Sequence, residues 1–576
     1  MVHLNYRLFP MVQKTNFVTW SGLFVWLVFL CSGAYAQGFV QRTHETNPNY
    51  REGDWISYSV AKYVTSIAIG DQYVYFGTRH AGITRYDFFR NRWDFPWTTS
   101  NGLADNAVFA VAYDPDTGFL WCATHLAISY YHPTAHRWRN LFKDEFGLPV
   151  FDEVESIGIT TDKIVFVTRT GKVFEGNKFG GLLLVAGNNF AGATPHGKIR
   201  WFGKLAQKRR RFPQFFMSDG YLFDQQGIVE DPHFRRAEID AYLEDRWGNL
   251  WIGTRGLGAG RADLNTFRLD MLNFGLTSPM VSALSFYDNE LWMGSARSFG
   301  QDRGITAWNM DQERWRYYEQ RDITDLESDQ INAITVDGDS IWFATDHGLS
   351  LYDYKRGRWK TEDNFDGLSD NRVFDVIADK GWIYVATANG IDRISRKRPA
   401  KKDSLIIEHI SPLNLTLVEV YDLELTKNLL WAGTRRGIFV YDTNKKEGGF
   451  NAEIGGPVNE VVTSISSYAN EIWFGTQAGI EAYDLDKKEW FGVPEARSFP
   501  NTPINRILAC KDAVWAATNH GVLKFNRKSR SWRTFNTTDG LLDDRVHALL
   551  LDGDYLWLGT NRGITQFLWN DPNRVD

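Results

Sequence analysis

The sequence contains little cysteine, no strong net charge and no recognisable catalytic motif. Three cysteines in 576 residues exclude a small disulfide-stabilised scaffold. The formal net charge of −6 gives no general attraction to nucleic acid or anionic lipid. There is no G-x-S-x-G elbow, no H-E-x-x-H helix and no Cys-His cluster with metal-ligand spacing. We therefore expect no metal or other cofactor and no nucleic-acid partner.

Long apolar runs are also absent beyond the N-terminus. The run from Phe17 to Cys31 follows Arg7 and Lys14 and precedes the small-x-small site at residues 34–36. This order predicts a cleaved signal peptide over residues 1–36. An uncleaved anchor is the open alternative. After cleavage we expect no membrane span and a periplasmic or extracellular (cell-surface) location.

Only Cys122 and Cys510 follow the predicted signal peptide, and both lie in apolar runs. Two buried free thiols are the favoured prediction. A long-range bridge between them is the open alternative.

Aromatic residues and glycine are abundant, with 23 Trp and 50 Gly. They belong to a repeat. IWFATDHGLSLYDYKRGRW at 341–359 returns as IWFGTQAGIEAYDLDKKEW at 472–490. The strongest copies follow each other at intervals of 42 residues, at Trp431, Trp473, Trp515 and Trp557. A period of this size with glycine turns is typical of a four-stranded propeller blade.

About twelve copies are present. The remaining ones are WFAT at 342–345, YFGT at 75–78, WCAT at 121–124, VFVT at 165–168, WIGT at 251–254, WMGS at 292–295, YVAT at 384–387 and a degraded copy at Phe215 to Asp219. One copy predicts strands at 331–336, 341–345 and 349–353 and a fourth that carries Trp359. The fold class is therefore an all-β β-propeller.

The two ends of the chain predict how the propeller closes. The last copy lacks its fourth strand, and residues 54–57 resemble a fourth strand without the first three. We expect them to pair with residues 563–568. Interruptions of the period at 176–215 and 393–412 suggest two propellers, with domain boundaries at 54–180, 181–400 and 401–576. In this interpretation we expect the first and last segments to form a seven-bladed ring and the middle segment to form an inserted five-bladed ring. Six plus six blades, or one large ring, stay open.

The motif W-x-G-T-x-x-G-[LI]-x-x-[YF]-D followed by a D-G-L loop resembles the two-component regulator propeller repeat. WAGTRRGIFVYD at 431–442 and WFATDHGLSLYD at 342–353 are close matches. The resemblance implies an extracytoplasmic sensor propeller with a membrane-bound signalling partner. Because the sequence ends inside the last copy, we expect no kinase or other output domain in this chain.

The turns after each motif threonine are the candidate binding site. In a propeller these turns and the loops between blades share one end of the ring. The turn residues singled out are cationic or can become so: Arg79, His80, His125, Arg169, Arg435, Arg436, His520 and Arg562. They would suit a carbohydrate or another anionic or hydroxyl-rich small ligand. The alternative is that they are ordinary solvated turn residues.

The sequence favours an exported, non-catalytic propeller that binds a ligand or a protein partner. Two alternatives stay open. One is a glycan-active hydrolase or lyase with its site in the propeller channel, which requires a pair of facing carboxylates. The other is a periplasmic or cell-surface scaffold, which requires an exposed apolar patch.

Overall fold

The computed structural model describes residues 50–180, 183–187, 199–208, 211–295, 303–396, 405–410, 415, 417–450, 460–493 and 502–574. The predicted signal peptide therefore lies outside the described residues. Within them the protein consists of short strands and a few 3-10 helical turns, at Thr99–Asn101, Lys143–Phe146, Lys204–Ala206 and Gln320–Asp322.

The first half of the chain contains strand β1 and four complete sheets. β1, Trp55–Tyr58, belongs to a sheet whose other strands come from the end of the chain. Sheet 1 contains β2 Val64–Ile69, β3 Tyr73–Thr78, β4 Ile83–Asp87 and β5 Arg92–Trp97. Sheet 2 contains β6 Val108–Tyr113, β7 Leu120–Thr124, β8 Ala127–His132 and β9 Arg137–Phe142. Sheet 3 contains β10 Val154–Ile159, β11 Lys163–Thr168, β12 Val173–Asn177, β13 Leu183–Gly187 and β14 Arg200–Gly203. Sheet 4 contains β15 Phe216–Met217, β16 Leu222–Phe223, β17 Ile228–Glu230, β18 Arg236–Glu244, β19 Asn249–Thr254, β20 Ala259–Asp263 and β21 Arg268–Leu272.

The second half contains seven sheets. Sheet 5 contains β22 Val281–Tyr287, β23 Glu290–Ser295, β24 Ile305–Asn309 and β25 Arg314–Tyr318. Sheet 6 contains β26 Ile331–Asp337, β27 Ser340–Thr345, β28 Gly348–Asp353 and β29 Arg358–Glu362. Sheet 7 contains β30 Val373–Ala378, β31 Trp382–Thr387, β32 Gly390–Ser395 and β33 Ile407–Ile410. Sheet 8 contains β34 Val420–Thr426, β35 Leu429–Thr434, β36 Gly437–Asp442 and β37 Glu447–Phe450. Sheet 9 contains β38 Val462–Tyr468, β39 Glu471–Thr476, β40 Ile480–Asp484 and β41 Glu489–Phe491. Sheet 10 contains β42 Ile504–Ala509, β43 Ala513–Thr518, β44 Gly521–Asn526 and β45 Ser531–Phe535. Sheet 11 contains β46 Val546–Asp552, β47 Tyr555–Thr560 and β48 Ile564–Leu568, together with β1.

The repeat copies fold as predicted. In sheet 6 the strands β26 to β29 pair antiparallel in chain order and match the predicted strands of that copy. The all-β propeller fold class is therefore confirmed. The described residues form eleven sheets rather than twelve, because the degraded copy supplies only β15, which pairs parallel with the edge strand β21 of sheet 4.

The second strand of each sheet carries the buried aromatic layer. Trp121, Trp251, Trp292 and Trp557 are at most 1 % exposed. A glycine stands two positions after Trp251, Trp292 and Trp557. It lets the next sheet approach closely, since a Cβ on Gly294 would lie 2.5 Å from the side chain of Ile331. The motif tryptophan therefore fills the layer between sheets, and the motif glycine allows the neighbouring sheet to pack closely.

The motif threonine fixes the turn between the second and third strands. The hydroxyl of Thr434 donates to the carbonyl of Gly437 at 2.7 Å, and Thr560 makes the same bond to Gly563 at 2.8 Å. The glycine has a φ of 107° at position 437, which favours glycine. The candidate turn residues are thus held on short turns of fixed shape.

Sheets 5 to 11 pack into a closed circle. Their first strands contact one another in chain order, and β46 of sheet 11 contacts β22 of sheet 5. At this junction a Cβ on Gly559 would lie 2.7 Å from the carbonyl oxygen of Val281. We call these seven sheets, with β1, the ring of seven.

The N-terminal strand completes the last sheet of this ring. β1 pairs antiparallel with β48, with Trp55 opposite Phe567 and Tyr58 opposite Ile564. The predicted pairing of the two ends is confirmed. It gives sheet 11 its fourth strand and leaves no gap in the ring of seven.

Sheets 1 to 4 pack against one another separately, and we call them the group of four. In each of these sheets the strand that precedes the motif strand contacts the corresponding strand of the next sheet, in the order β18, β2, β6 and β10. Strand β14 lies against β10, β6 and β2. This grouping differs from the one expected from the sequence, which joined the first three sheets to the last four. The packing instead follows chain order, because sheet 11 meets sheet 5 at Gly559.

The chain crosses between the two groups twice, through residues 59–63 and 273–280. An aromatic core joins them. Phe274 lies with its ring centroid 4.7 Å from that of Trp93 in sheet 1 and 5.4 Å from that of Trp315 in sheet 5. These buried rings hold both crossing segments in place.

Hydrogen bonds between neighbouring first strands reinforce the packing. The second residue of a first strand donates to the carbonyl of the first residue in the next sheet. The pairs are Thr65 to Val108, Ser282 to Ile331, Asn332 to Val373, Thr463 to Ile504 and Asn505 to Val546, over 2.5 to 2.8 Å. Polar residues at these positions therefore have a structural role.

Cys122 and Cys510 are buried free thiols, which confirms the favoured prediction. Among the described residues, no helix is long and apolar enough to cross a membrane.

Candidate functional site

A polar cavity of 820 Å³ lies where the two crossing segments meet. We call it the junction cavity. Both groups contribute to its wall, and the lining residues are Ser59, Val60, Tyr63, Arg79, His80, Asp105, Asn106, Ala107, Thr277, Pro279, Met280, Arg545, Asn561 and Arg562. Its volume is in the range of small-molecule sites.

Three of the predicted site residues come together in this cavity. Arg79 and His80 lie on the turn between β3 and β4, and Arg562 lies on the turn between β47 and β48. These turns belong to different groups of sheets. The cavity therefore collects cationic turn residues that are almost 500 positions apart in the sequence.

Three guanidinium groups line the cavity, and two of them form ion pairs. Arg562 lies 3.3 Å and Arg545 lies 3.5 Å from the carboxylate of Asp543, which the two share. Arg79 has no ion-pair partner among the described residues. Its guanidinium group is therefore free to bind an anion.

Burial shifts the pKa values of two groups that line the cavity, His80 and Asp105. Burial, together with the nearby Arg79, lowers the pKa of His80 below its usual value. Burial raises the pKa of Asp105 above its usual value, although the backbone N–H of Ala107 lowers it in part. The free cavity thus contains a largely neutral imidazole beside a free guanidinium group.

Arg545 is positioned by an amide. The side chain of Asn561, oriented to donate to Nε2 of His547 at 2.6 Å, accepts from Nε of Arg545 at 2.8 Å. This orientation requires a neutral His547, and burial does lower the pKa of His547. The amide of Asn561 thus restrains the guanidinium group of Arg545, which lines the cavity.

The other predicted residues do not line the junction cavity. His125 lies 2.6 Å from Glu153, and Arg169 lies 2.8 Å from Glu155. Arg435 lies 3.8 Å from Glu419, and the guanidinium carbon of Arg436 lies 5.3 Å from the ring centroid of Phe450. His520 lies on the equivalent turn of sheet 10. The predicted circle of turn residues is therefore divided between the two groups of sheets.

Asp105, Asn106 and Arg545 were missed by the sequence reasoning. They lie just before the first strands β6 and β46. The signal was present in the loops SNGLADNAV at 100–108 and TDGLLDDRV at 538–546. Both are relatives of the D-G-L loop of the repeat, whereas the predicted binding residues all lie on the turns after threonine.

A second cavity of 390 Å³ occupies the mouth of the channel through the ring of seven. Residues from all seven first strands line it, and Met280 lines both cavities. Asp375 and Arg506 form its charged wall, while Ala283, Ala333 and Ala548 form its small apolar wall. The junction cavity therefore lies beside the entrance of the channel.

No family model and no curated protein matches the chain. Solved structures that resemble it include extracellular domains assigned to two hybrid two-component systems of B. thetaiotaomicron. For BT4673 the identity is 17%, the TM-score 0.44 and the coverage 88% of this chain and 70% of that one. For BT3049 the values are 17%, 0.43, 87% and 74%.

A third similar structure is PorZ, a surface component of the type-IX secretion system of Porphyromonas gingivalis. The identity is 14%, the TM-score 0.44 and the coverage 88% of this chain and 74% of that one. Two of the three neighbours are thus extracellular domains from the class of systems that the repeat motif resembles. At this identity and TM-score the likeness carries no argument about a ligand or partner.

Proposed function

We propose that this chain is an exported propeller protein that binds an anionic ligand in the junction cavity and serves as the sensing part of a signalling system. The observation that carries the proposal is the convergence of Arg79, Arg545 and Arg562 on one cavity. A guanidinium group binds a carboxylate through paired hydrogen bonds, which gives both affinity and orientation.

The three arginines of the cavity outnumber their carboxylate partners, which supports the binding of an anion. Asp543 is shared by Arg545 and Arg562, so one carboxylate faces two cations. Arg79 adds a third cation from the other group of sheets. The local excess of positive charge contrasts with the net charge of −6 of the whole chain. An acidic sugar or a small carboxylate has the charge and hydroxyl content that suit this wall.

The proposed role is binding without chemical conversion. The carboxyl groups of Asp375 and Asp422 along the channel wall are close neighbours, and each accepts a hydrogen bond from a backbone N–H group of the next sheet. Facing carboxylates of a glycosidase are separated by about 5 to 10 Å so that a substrate fits between them. The channel therefore offers no support for the enzyme alternative.

Calorimetric titration of the full chain tests the proposal. The probes are trigalacturonate, glucuronate and citrate, with neutral maltotriose as the comparison. We expect at least one acidic probe to bind and maltotriose to bind more weakly. Arg79→Ala should weaken binding by about tenfold or more, which corresponds to about 1.4 kcal/mol.

Arg436→Ala is the matched control, because Arg436 occupies the same turn position as Arg562 but lies outside the cavity. Arg562→Ala should weaken binding, whereas Arg436→Ala should not. Equal effects of the two substitutions, or no binding of any acidic probe, would contradict the proposal.

A further inference from the structure

The channel of the ring of seven contains one layer with an unusual set of residues. The third residue of each first strand belongs to this layer, and the seven residues are Ala283, Ala333, Asp375, Asp422, Ser464, Arg506 and Ala548. Three alanines lie on one side. Two carboxyl groups, a hydroxyl and a guanidinium group lie on the other.

The polar residues of this layer link neighbouring sheets. The carboxyl group of Asp375 accepts from the backbone N–H of Leu423 in sheet 8 at 2.9 Å. Asp422 accepts from the N–H of Ile465 in sheet 9 at 2.5 Å. Ser464 makes the same kind of link to sheet 10, since its hydroxyl accepts from the N–H of Ile507 at 3.1 Å. A serine therefore performs this structural task without any charge.

The carboxyl groups outnumber the cations in the cluster. Arg506 lies 2.9 Å from Asp422, and Asp422 is a close neighbour of Asp375. One layer deeper, Glu424 accepts from the backbone N–H of Ser467 at 3.1 Å. Three carboxyl groups thus face one guanidinium group in a site where Asp375 is 5 % and Asp422 is 1 % exposed.

Among the residues that the structure describes, the remaining walls of this cavity supply no second cation. His547 lines the same cavity from sheet 11, but its pKa is lowered by burial. Tyr421 lines it from sheet 8 and donates its hydroxyl to Glu419. The other polar residues that line the cavity are uncharged: Ser282, Asn332, Thr335, Thr463 and Asn505.

The structure assigns to Asp375, Asp422, Glu424 and Arg506 a proton-responsive link between sheets 7 to 10, which holds protons in mild acid and loses them as the pH rises. Because deprotonation leaves unpaired negative charge in the channel wall, the ring of seven is more stable in mild acid than in mild alkali. This inference does not depend on the proposed ligand.

The direction of the effect follows from the shifts of both carboxyl groups. Burial, with Asp422 nearby, raises the pKa of Asp375, and burial raises the pKa of Glu424 to about 7. A carboxyl group whose pKa is higher in the folded than in the unfolded state stabilises the fold at low pH. That contribution declines as the pH rises through the unfolded value and is lost above the folded one, here about 7.

Thermal unfolding of the full chain from about pH 5.5 to about pH 8.5 tests the inference. We expect the Tm of the wild type to fall over this range. Glu424→Gln keeps the acceptor oxygen for Ser467 but cannot lose a proton, so the fall should be reduced by about half or more. Glu447→Gln, at an exposed position outside the channel, should leave the profile unchanged.

Asp375→Asn is the second variant, because its amide oxygen can still accept from Leu423. It should also flatten the profile and raise the Tm at the alkaline end. If the wild type, Glu424→Gln and Asp375→Asn all give profiles parallel to that of Glu447→Gln, the cluster does not respond to pH and the inference is overturned.

Discussion

The indole of Trp55 is stacked on the ring of Phe567, with centroids 3.8 Å apart and planes 10° apart. The two residues come from opposite ends of the chain and are also opposite each other in the β1–β48 pairing. Their contact therefore closes the ring of seven. It holds the two ends of the ring together by the packing of buried side chains and not by a covalent bond.

Trp55→Ala should destabilise the protein strongly. Trp55 is 2 % exposed, and loss of a buried aromatic side chain in a core costs about 3 to 5 kcal/mol. Urea unfolding followed by circular dichroism measures the change. Phe365→Ala is the control, because Phe365 is 93 % exposed and its removal should change stability by less than about 0.5 kcal/mol. Similar losses in both variants would mean that the seal is not a stability determinant.

Gly559→Ala should show which sheets are neighbours at the closure. An added Cβ would lie 2.7 Å from the carbonyl oxygen of Val281 and 3.0 Å from the Cβ of Ala548. We expect a loss of about 1 to 3 kcal/mol, as for other overpacked sites. Gly449→Ala is the matched control, since a Cβ there meets no atom within 4 Å. If Gly559→Ala were as mild as the control, sheet 11 would not pack against sheet 5 in this way.

The elements of each sheet were predictable because their signals are local. Strands, hairpin turns and the buried layer at Trp292 or Trp557 follow from apolar periodicity and glycine position over fewer than 42 residues. The closing strand was also predictable, because an unpaired strand at each end requires a partner. The grouping of the sheets was not, since every sheet has nearly the same edges.

The candidate site was predictable only in part. Arg79, His80 and Arg562 each follow a motif threonine and line the junction cavity, while their role in binding stays a prediction. The same rule also selected His125 and Arg435, which lie on equivalent turns but outside the junction cavity. Which turns meet depends on how the group of four sits beside the ring of seven, and no local pattern encodes that arrangement.

Anion binding in the junction cavity should strengthen as the pH falls. His80 has a lowered pKa in the free protein, so it is largely neutral at pH 7, and a bound anion would favour its protonated form. Titration of an acidic probe at about pH 5.5 and about pH 7.5 measures the change. His80→Gln should weaken this pH dependence.

Asp105→Asn gives an independent check of the same electrostatic argument. Removing the negative charge of the Asp105 carboxylate should tighten anion binding, because that charge repels an anion in the same cavity. Asp370→Asn, at a partly exposed position outside the cavity, should leave binding unchanged. Weaker binding by Asp105→Asn would indicate that the carboxylate contacts the ligand directly.

The two thiols should be unreactive in the native protein. Cys122 is 0 % and Cys510 is 8 % exposed, and burial raises the pKa of the Cys122 thiol. A colorimetric thiol reagent at about pH 8 should therefore label neither residue until guanidinium chloride unfolds the sheets. Because Cys122 lies in the second strand of sheet 2 and Cys510 follows the first strand of sheet 10, the order of labelling reports which group of sheets opens first. Rapid labelling of Cys122 before any loss of circular dichroism would contradict the packing of sheet 2 against its neighbours.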